Sequence, residues 1–256
     1  MKKLLLATSC LALSSAAGMA ADLPMIPTKS PVVAAAPAFT WTGCYVGAHA
    51  GGGTLTANTE GVQNGKGAVA GGQAGCNYQD GSWVFGVEGE GYWSGISATN
   101  AFSVIPNVFN PNTTETIRST TSNRNDFTIA ARAGITFDRT LIYGKGGWAW
   151  GAYRVFESDL CCTTGFATPS TFAQSGTLDG FLVGAGIEHA LTRNWTVKFE
   201  YNFIAYGAKE LSITQCFTGV CAVTGTSTLS SNKQVFKIGA NYLFDVGGAA
   251  PLVARY

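Results

Sequence analysis

Along residues 195–205 the chain reads W-T-V-K-F-E-Y-N-F-I-A. A β-strand directs alternate side chains to opposite faces. Trp195, Val197, Phe199, Tyr201 and Phe203 therefore share one face, and Thr196, Lys198, Glu200 and Asn202 share the other. A wholly apolar, aromatic face backed by a charged one is the pattern of a strand with lipid on one side and a polar lumen on the other. A soluble sandwich produces similar alternation over a single strand, so the reading depends on recurrence.

The pattern recurs. Eight strand candidates follow one another at 40–53, 67–78, 83–95, 126–137, 141–156, 178–189, 195–206 and 233–244. In the third, Trp83, Phe85, Val87 and Trp93 oppose Glu88, Glu90 and Tyr92. In the fourth, Phe127, Ile129, Ile135 and Phe137 oppose Thr128, Arg132 and Thr136. The sixth sets Phe181, Val183 and Ile187 against Glu188, and the eighth sets Phe236, Ile238, Tyr242 and Phe244 against Lys237 and Asn241. The fifth, dominated by Gly, is oriented by placing Lys145 inward, which turns Ile142, Trp148 and Trp150 outward. These faces predict an all-β chain, an eight-stranded antiparallel up-and-down transmembrane β-barrel.

Connections alternate in length. Residues 79–82, 138–140 and 190–194 are tight turns. Residues 54–66, 96–125, 157–177 and 207–232 are long and rich in Thr, Ser, Asn and Gly, as expected of short periplasmic turns and long external loops. An even strand number then places both termini in the periplasm. Trp41, Tyr78, Trp83, Phe137, Trp195 and Phe244 cluster toward the short-turn side, and Trp93 and Trp150 toward the loops, where two interfacial aromatic girdles would take them.

The strands occupy 40–244 of a longer plan. Residues 1–20 carry Lys2 and Lys3, an apolar run and a small-residue cleavage site at Gly18-Met19-Ala20, the marks of an export signal. Residues 21–39 contain Pro24, Pro27, Pro31 and Pro37 and read as an extended periplasmic linker. Residues 245–256 form a tail. The chain has 16 basic and 15 acidic residues; without Lys2 and Lys3 the balance is 14 to 15, or −1. That excludes the basic surface a nucleic-acid partner requires.

The inward faces collect Glu88, Glu90, Glu188 and Glu200 against Arg132, Lys145, Lys198 and Lys237. An eight-stranded barrel is wide enough only to be filled by its own side chains, so these charges are expected to pair and plug the lumen. A gated ion path is the sharper alternative. Glu88 and Glu90 lack a substrate cleft. His49 is expected inward as a hydrogen-bonding group, and His189 outward near a periplasmic turn. Acyl transfer or hydrolysis needs a base positioned beside a nucleophile, but His189 is expected at the wrong membrane edge for the outer-leaflet lipid and His49 faces away from lipid. No metal-binding spacing, phosphate loop or nucleotide fingerprint occurs. The sequence therefore predicts no enzyme, no catalytic or metal site and no cofactor.

Six cysteines follow the signal: Cys44, Cys76, Cys161, Cys162, Cys216 and Cys221. Export into an oxidising compartment makes disulfides plausible. A first hairpin centred near Glu60 sets Cys44 opposite Cys76. Cys216 and Cys221 close a small ring, C-F-T-G-V-C, in one long loop. The partners of Cys161 and Cys162 stay open.

Several segments resemble the small outer-membrane β-barrel family of Gram-negative bacteria, the outer-membrane immunogenic or porin-family proteins. They are the signal followed by Ala21-Asp22-Leu23-Pro24, the opening Trp41-Thr42-Gly43-Cys44-Tyr45-Val46-Gly47, and Val183-Gly184-Ala185-Gly186-Ile187-Glu188. Lys237, Gly239, Tyr242 and Phe244 look like the terminal-strand signal read by the barrel assembly machinery. Cys44 departs from the family's frequent Phe, and Phe244 is not terminal. The resemblance implies the outer membrane as location, outer-membrane lipid as surroundings and a monomer. The expected role is structural and surface-exposed; the alternative is a small-solute porin or a loop-based haem or adhesion receptor.

Overall fold

The computed structural model describes the backbone of residues 39–58, 62–104, 115–160, 171–217 and 220–244. The expected export signal, the linker up to residue 38, the tail, Cys161, Cys162 and the Cys216 side chain lie outside the described part. Nine strands run in chain order: β1 (Gly43–Asn58), β2 (Val62–Asp80), β3 (Trp83–Ser94), β4 (Ser97–Val104), β5 (Glu115–Phe137), β6 (Thr140–Leu160), β7 (Thr171–Ala190), β8 (Trp195–Phe217) and β9 (Val220–Phe244).

Apart from β3 and β4, sequential strands pair antiparallel, and β1 pairs with both β2 and β9. First and last strands therefore meet, and the sheet closes with no free edge. Eight staves make the ring rather than nine, because β3 and β4 lie end to end and both pair with β2 and β5. Between them Gly95 donates to the Ala68 carbonyl and Asn123 to that of Ile96, so the ladder bridges the break.

The connections on one side are tight. Gly81-Ser82 and Asp138-Arg139 are two-residue turns, closed by the pairs Asp80↔Trp83 and Phe137↔Thr140. In each the first turn residue is left-handed, Gly81 at φ 58° and Asp138 at φ 53°. Gly and Asp are among the residues that favour this conformation, and hairpins with such turns match the twist of their strands.

The other side corrects the sequence reading. Segments expected as long loops continue the strands well beyond the apolar alternation, with paired residues out to Asn58↔Val62, Thr116↔Leu160 and Phe217↔Val220. Cys216 and Cys221, expected in a loop, are register partners near the tip of the β8–β9 hairpin. Once a hairpin is in register its ladder can extend wherever the backbone finds a partner. Above the lipid, however, the outer face needs no apolar residues. Thr54, Thr56, Asn64 and Lys66 point outward there, which erases the alternating signal.

The two faces differ in chemistry. Phe85, Val87, Phe127, Ile129, Trp148, Phe181, Val183, Phe199, Phe236 and Ile238 all project outward and are exposed. A continuous apolar band of this kind marks a lipid contact. Trp41 is a second correction. Expected in an interfacial girdle, it is wholly buried inside the short-turn end of the ring, with Val84, Leu141, Tyr143 and Ala190. It precedes β1, so the strand's alternation does not govern it. Its Nε1 donates to Thr136 Oγ1 at 3.0 Å, and Phe39 packs edge-on against it at 5.1 Å.

Candidate functional site: the ion-paired interior

Alternation on each stave decides what reaches the interior. Along β3 the inward series from the short turn is Val84, Gly86, Glu88, Glu90, Tyr92 and Ser94. Along β9 the inward series is Lys233, Val235, Lys237, Gly239, Asn241 and Leu243. The barrel closes these sequence-distant series onto one another.

Glu88, Glu90 and Glu200 form the centre, with carboxylate oxygens within 4.8 Å of one another. Three ammonium groups surround them. Lys145 Nζ lies 3.0 Å from Glu88, 3.3 Å from Glu90 and 2.7 Å from Glu200. Lys198 reaches Glu88 at 3.0 Å and both others at 3.5 Å. Lys237 reaches Glu90 at 2.7 Å and Glu200 at 2.9 Å. Like charges so close would repel strongly in a low-dielectric interior; alternating signs turn the group into an attractive lattice. The three carboxylates have spacing suited to a cation, but three lysines already occupy the positions around them.

Arg132 extends the lattice toward the short turns. Its Nη2 is 2.7 Å from Glu188 and its Nη1 is 3.5 Å from Glu88. Tyr45 donates to Glu88 at 2.8 Å and accepts from Arg132 at 2.9 Å. The Arg132 guanidinium lies 4.2 Å from the centroid of the Tyr143 ring, whose hydroxyl donates to Glu200 at 2.8 Å. The four carboxylates and Arg132 thus have both an opposite charge and neutral hydrogen-bond partners, and each lysine is held by at least two carboxylates, the condition under which buried ions are tolerated.

A directional chain of hydrogen bonds joins the first strand to this lattice. His49 Nδ1 meets Gln73 Oε1 at 2.6 Å, Gln73 Nε2 donates to Asn241 Oδ1 at 2.7 Å, and Asn241 Nδ2 donates to Glu188 at 2.7 Å. With these amide orientations the His49 proton sits on Nδ1. A separate pair, Lys233–Asp126 at 2.6 Å, lies further from the short turns. Lys233 also donates to Asn123 at 2.8 Å and stands 4.9 Å over the Tyr92 ring, and the Tyr206 hydroxyl donates to Asp126.

All eight charges expected in the lumen are buried and mutually paired: Glu88, Glu90, Arg132, Lys145, Glu188, Lys198, Glu200 and Lys237. Asp126 and Lys233 complete them and were missed. The signal was present, since Asp126 shares the parity of Thr128 and Arg132, and Lys233 that of Lys237. Buried acids and bases then balance at five each among the described residues. Apolar clusters flank them. One is built around Trp41; the other includes Leu55, Ile96, Leu178, Leu182, Ile204 and Leu229.

On the outer face, the register sets Cys44 opposite Cys76, and the two are disulfide-bonded. Cys221 is also disulfide-bonded. His189 is exposed at the short-turn side, 2.9 Å from the Thr140 hydroxyl. Tyr242 and Phe244 stack edge-on at 5.3 Å on the outside of β9, while Lys237 of the same strand points inward.

The closed ring, the apolar belt and the ion-paired interior define an integral membrane β-barrel. The chain belongs to the outer membrane protein β-barrel domain family, which it matches over residues 6–244; it is an outer-membrane protein of the bacterial envelope. It is 30% identical to the 31 kDa outer-membrane immunogenic protein of Brucella melitensis, over 95% of this chain and 100% of that one. It is 28% identical to the 22 kDa outer membrane protein of Rhizobium leguminosarum, over 69% of this chain and 70% of that one. Among solved structures it is similar to the outer membrane protease OmpT of Escherichia coli, with a TM-score of 0.51 and 9% identity, covering 82% of this chain and 99% of that one. That identity carries the fold alone.

Proposed function

We propose that this protein is a structural, surface-exposed barrel of the outer membrane, with a lumen closed by its own side chains and no catalytic role. The observation that carries the reading is the continuous ionic lattice centred on Glu88, Glu90 and Glu200, lying between two apolar clusters. A path for solute would have to separate paired, desolvated charges, each separation costing several kcal/mol. The tight turns and both strand termini face the periplasm; the extended hairpins project outside, where the immunogenic names of its relatives fit an exposed antigen. Lys237, Gly239, Tyr242 and Phe244 present the last strand to the barrel assembly machinery. The barrel works as a monomer.

The test is electrical and topological together. Purified protein in planar bilayers should show no steady conductance. Single cysteines on a background with the native ones removed should react with an impermeant thiol reagent on intact cells at Asn64, and not at Asp138. Steady channels would return the porin alternative, and labelling at Asp138 would invert the orientation.

A further inference from the structure

Of the two histidines in the chain, His189 is exposed and His49 is buried in the interior. His49 stands on β1 opposite Gly71 of β2 and Gly239 of β9. The missing side chain at Gly239 leaves it room, since a Cβ there would lie 3.2 Å from the His49 Cβ. On β3 the Tyr92 ring meets the imidazole edge-on at 5.6 Å.

The tautomer of His49 is fixed from the far end of its hydrogen-bond chain. Ionised Glu188 only accepts, so Asn241 must turn its amide nitrogen toward it. Asn241 Oδ1 then takes the Gln73 nitrogen, and Gln73 Oε1 is left facing His49 Nδ1. Nδ1 therefore carries the proton and Nε2 the lone pair. His49 Nε2 is buried without a hydrogen-bond partner.

The charges facing the ring are Lys237 on β9, Glu90 on β3 and Lys198 on β8; β2 contributes the neutral Gln73. Glu90 is already engaged by Lys237 at 2.7 Å, Lys145 at 3.3 Å and Lys198 at 3.5 Å. A proton on Nε2 would create a buried cation beside the Lys237 ammonium, with an N–H that has no acceptor. Neither is tolerated in a desolvated interior. Glu90 is the one carboxylate among these groups, and an imidazolium could take it only at the expense of Lys237.

We propose that His49 is an acid-sensitive latch on the lumen plug: the neutral ring holds the lattice closed, and the protonated ring breaks into the Lys237–Glu90 pair and loosens it. The latch rests on the closed-lumen reading above. Over the range from about pH 7.5 to about pH 5 it is separable from the acids, because histidine titrates near about 6.5 and carboxylates near about 4.

Unfolding rates of the purified barrel in detergent micelles with urea, read by the heat-modifiable shift in gel mobility, test the latch. The parent should unfold roughly tenfold faster at about pH 5 than at about pH 7.5. His49→Gln keeps a neutral donor to Gln73 and should lose most of that ratio, whereas His189→Gln should retain it. His189→Gln also leaves His49 as the sole histidine, so nitrogen-15 histidine spectra of this variant report the ring directly, without altering it. They should show a neutral imidazole protonated at Nδ1 at about pH 7.5. Equal parental rates at the two pH values, an undiminished ratio in folded His49→Gln, or a proton on Nε2 at about pH 7.5 would each overturn the latch. Steady current through the parent at about pH 7.5 would instead sink the closed-lumen reading, so the two failures are distinguishable.

Discussion

Arg132 on β5 and Glu188 on β7 meet at 2.7 Å, both side chains buried, although β6 lies between their strands. The contact crosses the interior rather than running along the wall. Arg132→Ala would strand Glu188, which keeps only the neutral donors Thr196 and Asn241. Loss of one partner from a buried pair costs about 3–5 kcal/mol, whereas a water-exposed pair is worth about 0–1 kcal/mol. Denaturant unfolding in micelles separates these values, and the smaller one would mean a wet lumen.

Lys233 and Asp126 offer the complementary experiment, because they form an isolated pair. Lys233→Met alone should destabilise by about 3–5 kcal/mol, leaving Asp126 charged and buried. The double change Lys233→Met/Asp126→Leu should recover most of that loss, since apolar replacement of a whole buried pair is often neutral. A double variant as unstable as the single one would show that Asn123, Ser94 and Tyr206 hold the pair as part of a larger unit.

Trp41 closes the short-turn end. Trp41→Ala removes a fully buried indole and should cost about 3–5 kcal/mol. Because the ionic lattice remains, planar bilayers should still register no steady current. Channels appearing in this variant would place the seal at Trp41 and not at the charges.

Gly75 supplies space for Tyr45. A Cβ at this position would stand 2.5 Å from the Tyr45 hydroxyl oxygen and 2.5 Å from the Val87 carbonyl oxygen. Gly75→Ala should therefore push Tyr45 away from Glu88 and cost about 1–3 kcal/mol. Gly72→Ala, on the outer face of the same strand and with only the Gly47 carbonyl 3.3 Å away, is the control and should be close to neutral.

The Cys44–Cys76 bridge joins the closing strand β1 to β2. Cys76→Ser should lower stability by about 2–4 kcal/mol and leave the fold intact, since the strands are also held by their ladder. Non-reducing peptide mapping should recover Cys44 linked to Cys76; Cys44 linked elsewhere would break the register of the first hairpin.

The sequence by itself determined which side chains face in and which face out across the lipid-contacting stretch, because a strand's period of two is local and needs no partner. It also carried the first hairpin's register, since Cys44 and Cys76 lie symmetrically about one centre. It could not show that the strands outrun the lipid, because polar outward residues such as Thr54 and Lys66 remove the alternation while the ladder continues. It misplaced Trp41, whose burial depends on an end cap that assembles only when the ring closes. Which acid meets which base was beyond it as well. Glu90 meets Lys237, and Asp126 meets Lys233, across more than a hundred residues of chain. Those distances are set by barrel closure and strand stagger, properties of the assembled ring that no single strand contains.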